Sequence, residues 1–178
     1  MTDRLPYEEA VRRAAVLERL RAFDPRLVGT LPLGIAVATS DVDIVCHVPD
    51  AGQFAEALWT HFRKRRKFAL HQWSSAERPV VARFDVHGWP FEIFGSPTPV
   101  QAQAGWRHFH VERRLLVLGG AGLRSAVMSV RFSGSKTEPA FAAALQLAGD
   151  PYAALLALYH RSDATLTALL ANAGFRAA

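Results

Sequence analysis

The chain has 178 residues, with 21 Lys+Arg against 16 Asp+Glu, a formal net charge of +5. Half of it is hydrophobic and 21% is charged, which excludes a disordered tail and suffices for a packed core without disulfide or structural metal. A single cysteine, Cys46, excludes an internal disulfide and cysteine-rich zinc sites, and five excess charges are too few to identify an anionic partner. No apolar run reaches the roughly 18 residues that cross a bilayer. Asp3, Glu8 and Glu9 lack the basic-then-apolar order of a signal peptide, so a cytoplasmic protein with no membrane partner is expected.

Residues 6–23 carry helical spacing in Val11, Ala14, Ala15, Leu17 and Leu20, with Pro6 in the first turn and Asp24-Pro25 as the stop. Leu27-Val28 reads as a short strand entering Gly29-Thr30, and residues 43–48 as a second strand. Pro49-Asp50 then opens a helix with Phe54, Leu58 and Phe62 on its apolar side. Residues 68–73 suggest a third strand. Residues 79–86 and 89–94 are strands joined by His87-Gly88, a hairpin signal. Beyond Pro99 the pattern is helical: 100–118, 123–132, 138–147, and 152–173 begun by Asp150-Pro151. The expectation is an α+β core over 1–95 and a helical region over 96–178 packed on it.

The chemistry concentrates in one stretch. Val28-Gly29-Thr30 is followed, after ten residues that include Gly34 and end in Ser40, by Asp41-Val42-Asp43-Ile44. Aspartates two apart on a strand point the same way. Buried together without a cation they could not both stay ionised; at an open strand end they suit Mg²⁺. Taken alone, Asp41 is equally a turn residue and Asp43 an edge residue.

The whole segment resembles the signature of the polymerase-β-like nucleotidyltransferase superfamily: apolar-Gly-hydroxyl, a short gap, then Asp-apolar-acid-apolar. More narrowly, the chain is similar to the DUF4269 family. That likeness rests on residues 28–35, Phe91-Glu92-Ile93-Phe94-Gly95, Arg107-His108 with Glu112, Lys136-Thr137-Glu138-Pro139-Ala140-Phe141 and Gly149-Asp150-Pro151-Tyr152. The superfamily resemblance implies a mixed sheet flanked by helices that binds a nucleoside triphosphate, ATP by preference, with Mg²⁺ or Mn²⁺. It implies transfer of a nucleoside monophosphate to an acceptor hydroxyl.

Asp41 and Asp43 inherit the metal-ligand role, and the backbone and hydroxyl of Gly29-Thr30 the phosphates. Gly34, Ser40, Arg107 and Lys136 are further nucleotide-binding candidates. Two residues suit the third carboxylate, Glu92 between Phe91 and Ile93 and Asp85 between Phe84 and Val86. Glu92 is preferred, because its large apolar neighbours suggest a central strand. One departure stands out: Leu31-Pro32-Leu33 occupies the place where related minimal transferases carry arginine.

Three other features carry blander alternatives. Arg63-Lys64-Arg65-Arg66-Lys67 suits an RNA backbone or a helix C-terminus. The scattered tryptophans read as core or base-pocket walls. The leucines of 155–170 suit ordinary packing or a homodimer face. The rival functions are a non-catalytic nucleotide-binding module of the same fold and an RNA-binding protein.

Overall fold

The computed structural model describes residues 4–175. It divides into two compact units. The first runs to Pro32 and resumes over Thr39–Gln103; the second joins Leu33–Ala38 to the residues from Ala104 onward.

The first unit is built on a five-stranded mixed sheet. Its strands are β1 (Arg26–Val28), β2 (Val42–His47), β3 (Arg66–Gln72), β4 (Val80–Val86) and β5 (Trp89–Ser96), in the order β1-β2-β5-β4-β3. Only β2 and β5 run parallel; the other pairs are antiparallel. His87 (φ 52°) and Gly88 (φ 81°) form the two-residue turn between β4 and β5, both in the left-handed conformation of a type I′ hairpin.

Helix α4 (Ala51–Phe62) is capped by the Asp50 carboxylate, which accepts from the Gln53 amide at 3.0 Å. Phe54, Leu58 and Phe62 recur at helical spacing and are buried. Phe62 stacks on Phe84 of β4 (4.9 Å between centroids) and Phe84 on Phe91 of β5 (5.3 Å). This aromatic column commits one sheet face to the core, so Phe91 and Ile93 are buried while Glu92, between them, lies on the opposite face.

The opening helix is shorter than its periodicity suggests. It splits into α1 (Tyr7–Ala14) and α2 (Val16–Arg19), because Ala15 adopts φ 53°. A four-residue helix, α3 (Thr30–Leu33), follows Gly29 where a simple turn was expected. Strand β3 starts two residues early, inside the basic run, with a register shift between Arg66 and Ala69. Two tryptophans read as walls are surface residues instead: Trp59 is 55% and Trp73 44% exposed.

The second unit is helical: α5 (Ala104–Phe132), α6 (Thr137–Ala144), α7 (Pro151–Leu156) and α8 (Asp163–Asn172). Gly120 interrupts α5 at φ 58°, ψ −152°, a region essentially reserved for glycine. The expected single helix over 152–173 is two helices. Arg114 explains the break, since its guanidinium donates to the Tyr159 carbonyl (3.1 Å), the Arg161 carbonyl (2.7 Å) and Asp163 Oδ1 (2.5 Å). The Ser162 hydroxyl then caps α8 by accepting from the Thr165 amide. Leu155, Leu166 and Leu170 are buried in this unit.

One expectation about membranes needs correcting. Helix α5 is long enough, with a mean hydropathy of 1.4 over an 18-residue window, to cross a bilayer by length and composition. Leu115, Leu116, Leu123 and Val127 of this helix are nevertheless buried against protein.

Candidate functional site

The turn after β1 meets the start of β2. The Gly29 position (φ 79°) strongly favours glycine, because a Cβ there would overlap the Asp43 carboxylate and the backbone is left-handed. Thr30 Oγ1 donates to Ser40 Oγ at 3.1 Å, and both hydroxyls are buried, so the two ends of the ten-residue gap are tied by side chains. The Ser40 carbonyl accepts from Arg4 (3.2 Å), whose guanidinium lies 3.4 Å over the Trp89 ring.

Asp43 pairs in register with Val28 on one side and with Glu92 on the other. Glu92 pairs in turn with Arg83. A row Asp43–Glu92–Arg83 therefore crosses three strands on the sheet face opposite the aromatic column. Asp41, two residues before Asp43, is half-buried. Its pKa lies above the ordinary Asp range, mainly because burial penalises the charged form. The Glu92 charge adds to that rise and Arg83 opposes it, so Asp41 senses both members of the row.

Arg83 was not anticipated as part of the site. Its Nε and Nη2 lie 2.6 and 2.5 Å from Glu92 Oε2. The donor set Asp41, Asp43, Glu92 is all oxygen, as Mg²⁺ prefers. As the side chains stand, no group of three His, Cys, Asp or Glu among the described residues is close enough to hold a metal ion. The chemistry of the set fits the metal; its third member is engaged by a guanidinium.

Asp85, the alternative third carboxylate, is not in this row. It pairs with Pro90, toward the hairpin turn, and is held by Arg66 (2.7 Å) and Lys67 (3.2 Å). That accounts for part of the basic run, and Arg63 for more, since it donates to the Trp59 and Thr60 carbonyls at the end of α4.

Three candidates belong to the second unit. Gly34 (φ 68°) is gripped locally, with Arg124 Nη1 donating to the Leu33 and Gly34 carbonyls at 2.7 and 3.0 Å. Arg107 lies 5.6 Å over the Tyr159 ring. Lys136 is exposed at the start of α6.

Close to Lys136 in sequence is a buried polar cluster. His108 Nε2 lies 3.0 Å from the Tyr152 carbonyl and Nδ1 3.6 Å from Glu138 Oε1. Glu112 is 3% exposed with Oε1 unpartnered, Arg131 is 8% exposed with Nε unpartnered, and an Arg131 Nη1 donates to Thr137 Oγ1. Burial, then the Glu138 charge, pushes the Glu112 pKa well above the usual Glu value, against the pull of Arg131. His108 and Glu112, four residues apart on α5, share an interior face of the helix.

Solved structures with the same architecture are nucleotidyltransferases. The chain is similar to a MgGTP-bound Cid1 poly(U) polymerase (TM-score 0.57, 14% identity, 84% of this chain and 47% of that one). It is also similar to GLD-2 in complex with RNP-8 (TM-score 0.52, 11% identity, 78% and 56%) and to a cytoplasmic RNA terminal U-transferase (0.51, 18%, 80% and 42%). The chain thus spans about half the length of these proteins, and at such identities the likeness concerns the fold. No curated protein matches the sequence. Residues 9–158 match the DUF4269 family, a domain of unknown function, and the chain belongs to that family.

Proposed function

We propose that the protein is a Mg²⁺-dependent nucleotidyltransferase that moves a nucleoside monophosphate from an NTP to an acceptor hydroxyl. One observation carries the reading: Asp43 and Glu92 stand in register on one sheet face, with Asp41 two residues away and the Gly29-Thr30 turn directly against Asp43. Similarity to transferase folds, in structures bound to MgGTP and MgATP, supports it.

In this reading Asp41, Asp43 and Glu92 hold Mg²⁺, which supplies charge neutralisation for the phosphoryl oxygens when bound. The chain does the rest by positioning. The Gly29 turn admits the Asp43 carboxylate, and the Thr30–Ser40 hydroxyl pair fixes the loop on which the triphosphate would rest. Glu92, the acid nearest Asp43 in the sheet, is placed to accept the acceptor's hydroxyl proton. With Leu31-Pro32-Leu33 after the turn, phosphate binding there relies on backbone N–H groups rather than on an adjacent arginine.

The test is thermal unfolding with Mg²⁺ and each of the four NTPs. We expect at least one NTP to raise Tm in the wild type and not in Asp43→Asn. No shift with any NTP would reject the reading. Stabilisation by Mg²⁺·NTP without nucleotide transfer in an acceptor screen would favour a non-catalytic nucleotide-binding module, for which the guanidinium on Glu92 speaks. RNA affinity that falls with salt and survives Asp43→Asn would favour an RNA-binding protein.

A further inference from the structure

We propose that Arg83 is the resident counter-cation of the carboxylate row, and that a divalent cation gains Glu92 by displacing it. This rests on the transferase reading and assigns a role to a residue outside the motif.

The hairpin register puts Arg83 directly across from Glu92, on the side away from Asp43. Both guanidinium nitrogens converge on one oxygen, Oε2. A divalent cation that took Glu92 as a ligand would compete for lone pairs of the same carboxylate and would meet a charge that never deprotonates.

Stability alone is a poor explanation for the pair. The Arg83 side chain is 56% and that of Glu92 28% exposed, and ion pairs in such settings contribute little to stability. Nor is Arg83 shared with its strand neighbour, since Asp85 already has Arg66 and Lys67. Arg83 is thus a positioning residue. It keeps Glu92 compensated while the metal is away, and it sets a threshold for metal entry.

The experiment is Mn²⁺ titration of the full chain without nucleotide, followed by the EPR signal of free Mn²⁺, with circular dichroism to verify folding. Arg83→Gln is expected to bind Mn²⁺ about tenfold more tightly than wild type, the order for one charge removed beside a divalent cation at high effective dielectric. Arg83→Lys should restore the wild-type affinity, and Arg83→Gln/Glu92→Gln should lose the gain. Unchanged or weaker binding by Arg83→Gln overturns the proposal, as does a gain that persists in the double variant. Introducing Asp43→Asn into Arg83→Gln separates the two levels. If Mn²⁺ affinity depends on Asp43 while Arg83→Gln is silent, Arg83 alone was misassigned. If no variant binds Mn²⁺, both the proposal and the transferase reading fall.

Discussion

Glu92 and Glu112 show how the two units use the same residue differently. Glu92 sits part-exposed on the sheet face opposite the aromatic column, met by an arginine from the next strand and paired with Asp43 across the sheet. Glu112 is packed inside the helical unit at 3% exposure, with one oxygen unpartnered. The first carboxylate is part-exposed, and its visible partner is a cation on the neighbouring strand. The second contributes to cohesion and is held toward its neutral form. Carboxylate identity is no guide to role; what faces the carboxylate is.

The contrast is sharpest under truncation. Glu112→Ala should cost about 2–5 kcal/mol, through the void it leaves in the core. Denaturant unfolding would measure it, and a loss below about 1 kcal/mol would put Glu112 in the same class as Glu92. Gly29→Ala should cost about 1–3 kcal/mol from its left-handed backbone, plus the overlap with Asp43. It should also abolish stabilisation by Mg²⁺·NTP, a result that a merely flexible turn would not give.

The pH response separates the same two acids. Glu112 has a higher pKa folded than unfolded, so the fold binds its proton more tightly. That contribution is full below the ordinary Glu range and is lost as pH rises through the raised value. Urea midpoints measured across pH should decline in that window, and Glu112→Gln should flatten the decline. The smallest effects belong to the ion pairs on the open face. Glu92→Gln and Asp85→Asn should each change stability by about 0–1 kcal/mol. Only Glu92→Gln should remove the Mg²⁺·NTP shift, and its loss in Asp85→Asn would reinstate Asp85 as the third carboxylate.

Much of the first unit was legible. The alternation Phe91-Glu92-Ile93 announces a strand with one buried face, and His87-Gly88 announces a two-residue turn. Counting back from that turn pairs Arg83 with Glu92, so the missed arginine was recoverable once the hairpin was accepted. The nearness of Asp43 to Glu92 was different. It depends on a parallel pairing between strands far apart in sequence, for which no local signal exists. In the second unit, periodicity found helices but not their ends. The break between α7 and α8 depends on Arg114, nearly fifty residues upstream, which takes carbonyls that a continuous helix would use. Gly34 is a further case: its carbonyl accepts from Arg124, ninety residues downstream, a partner that no local pattern announces.

The topology also orders events in time. The Arg83–Glu92 contact closes across a two-residue turn, whereas Asp43 reaches Glu92 only after the chain between β2 and β5 has looped back. Hairpins form in about 1–10 μs, and longer loops close at greater entropic cost. The topology therefore predicts that Glu92 acquires its guanidinium before it is brought against another carboxylate, so that the like-charge encounter is softened in advance. Folding kinetics should register this as a larger φ-value at Phe84, in the hairpin, than at Ile44 in β2.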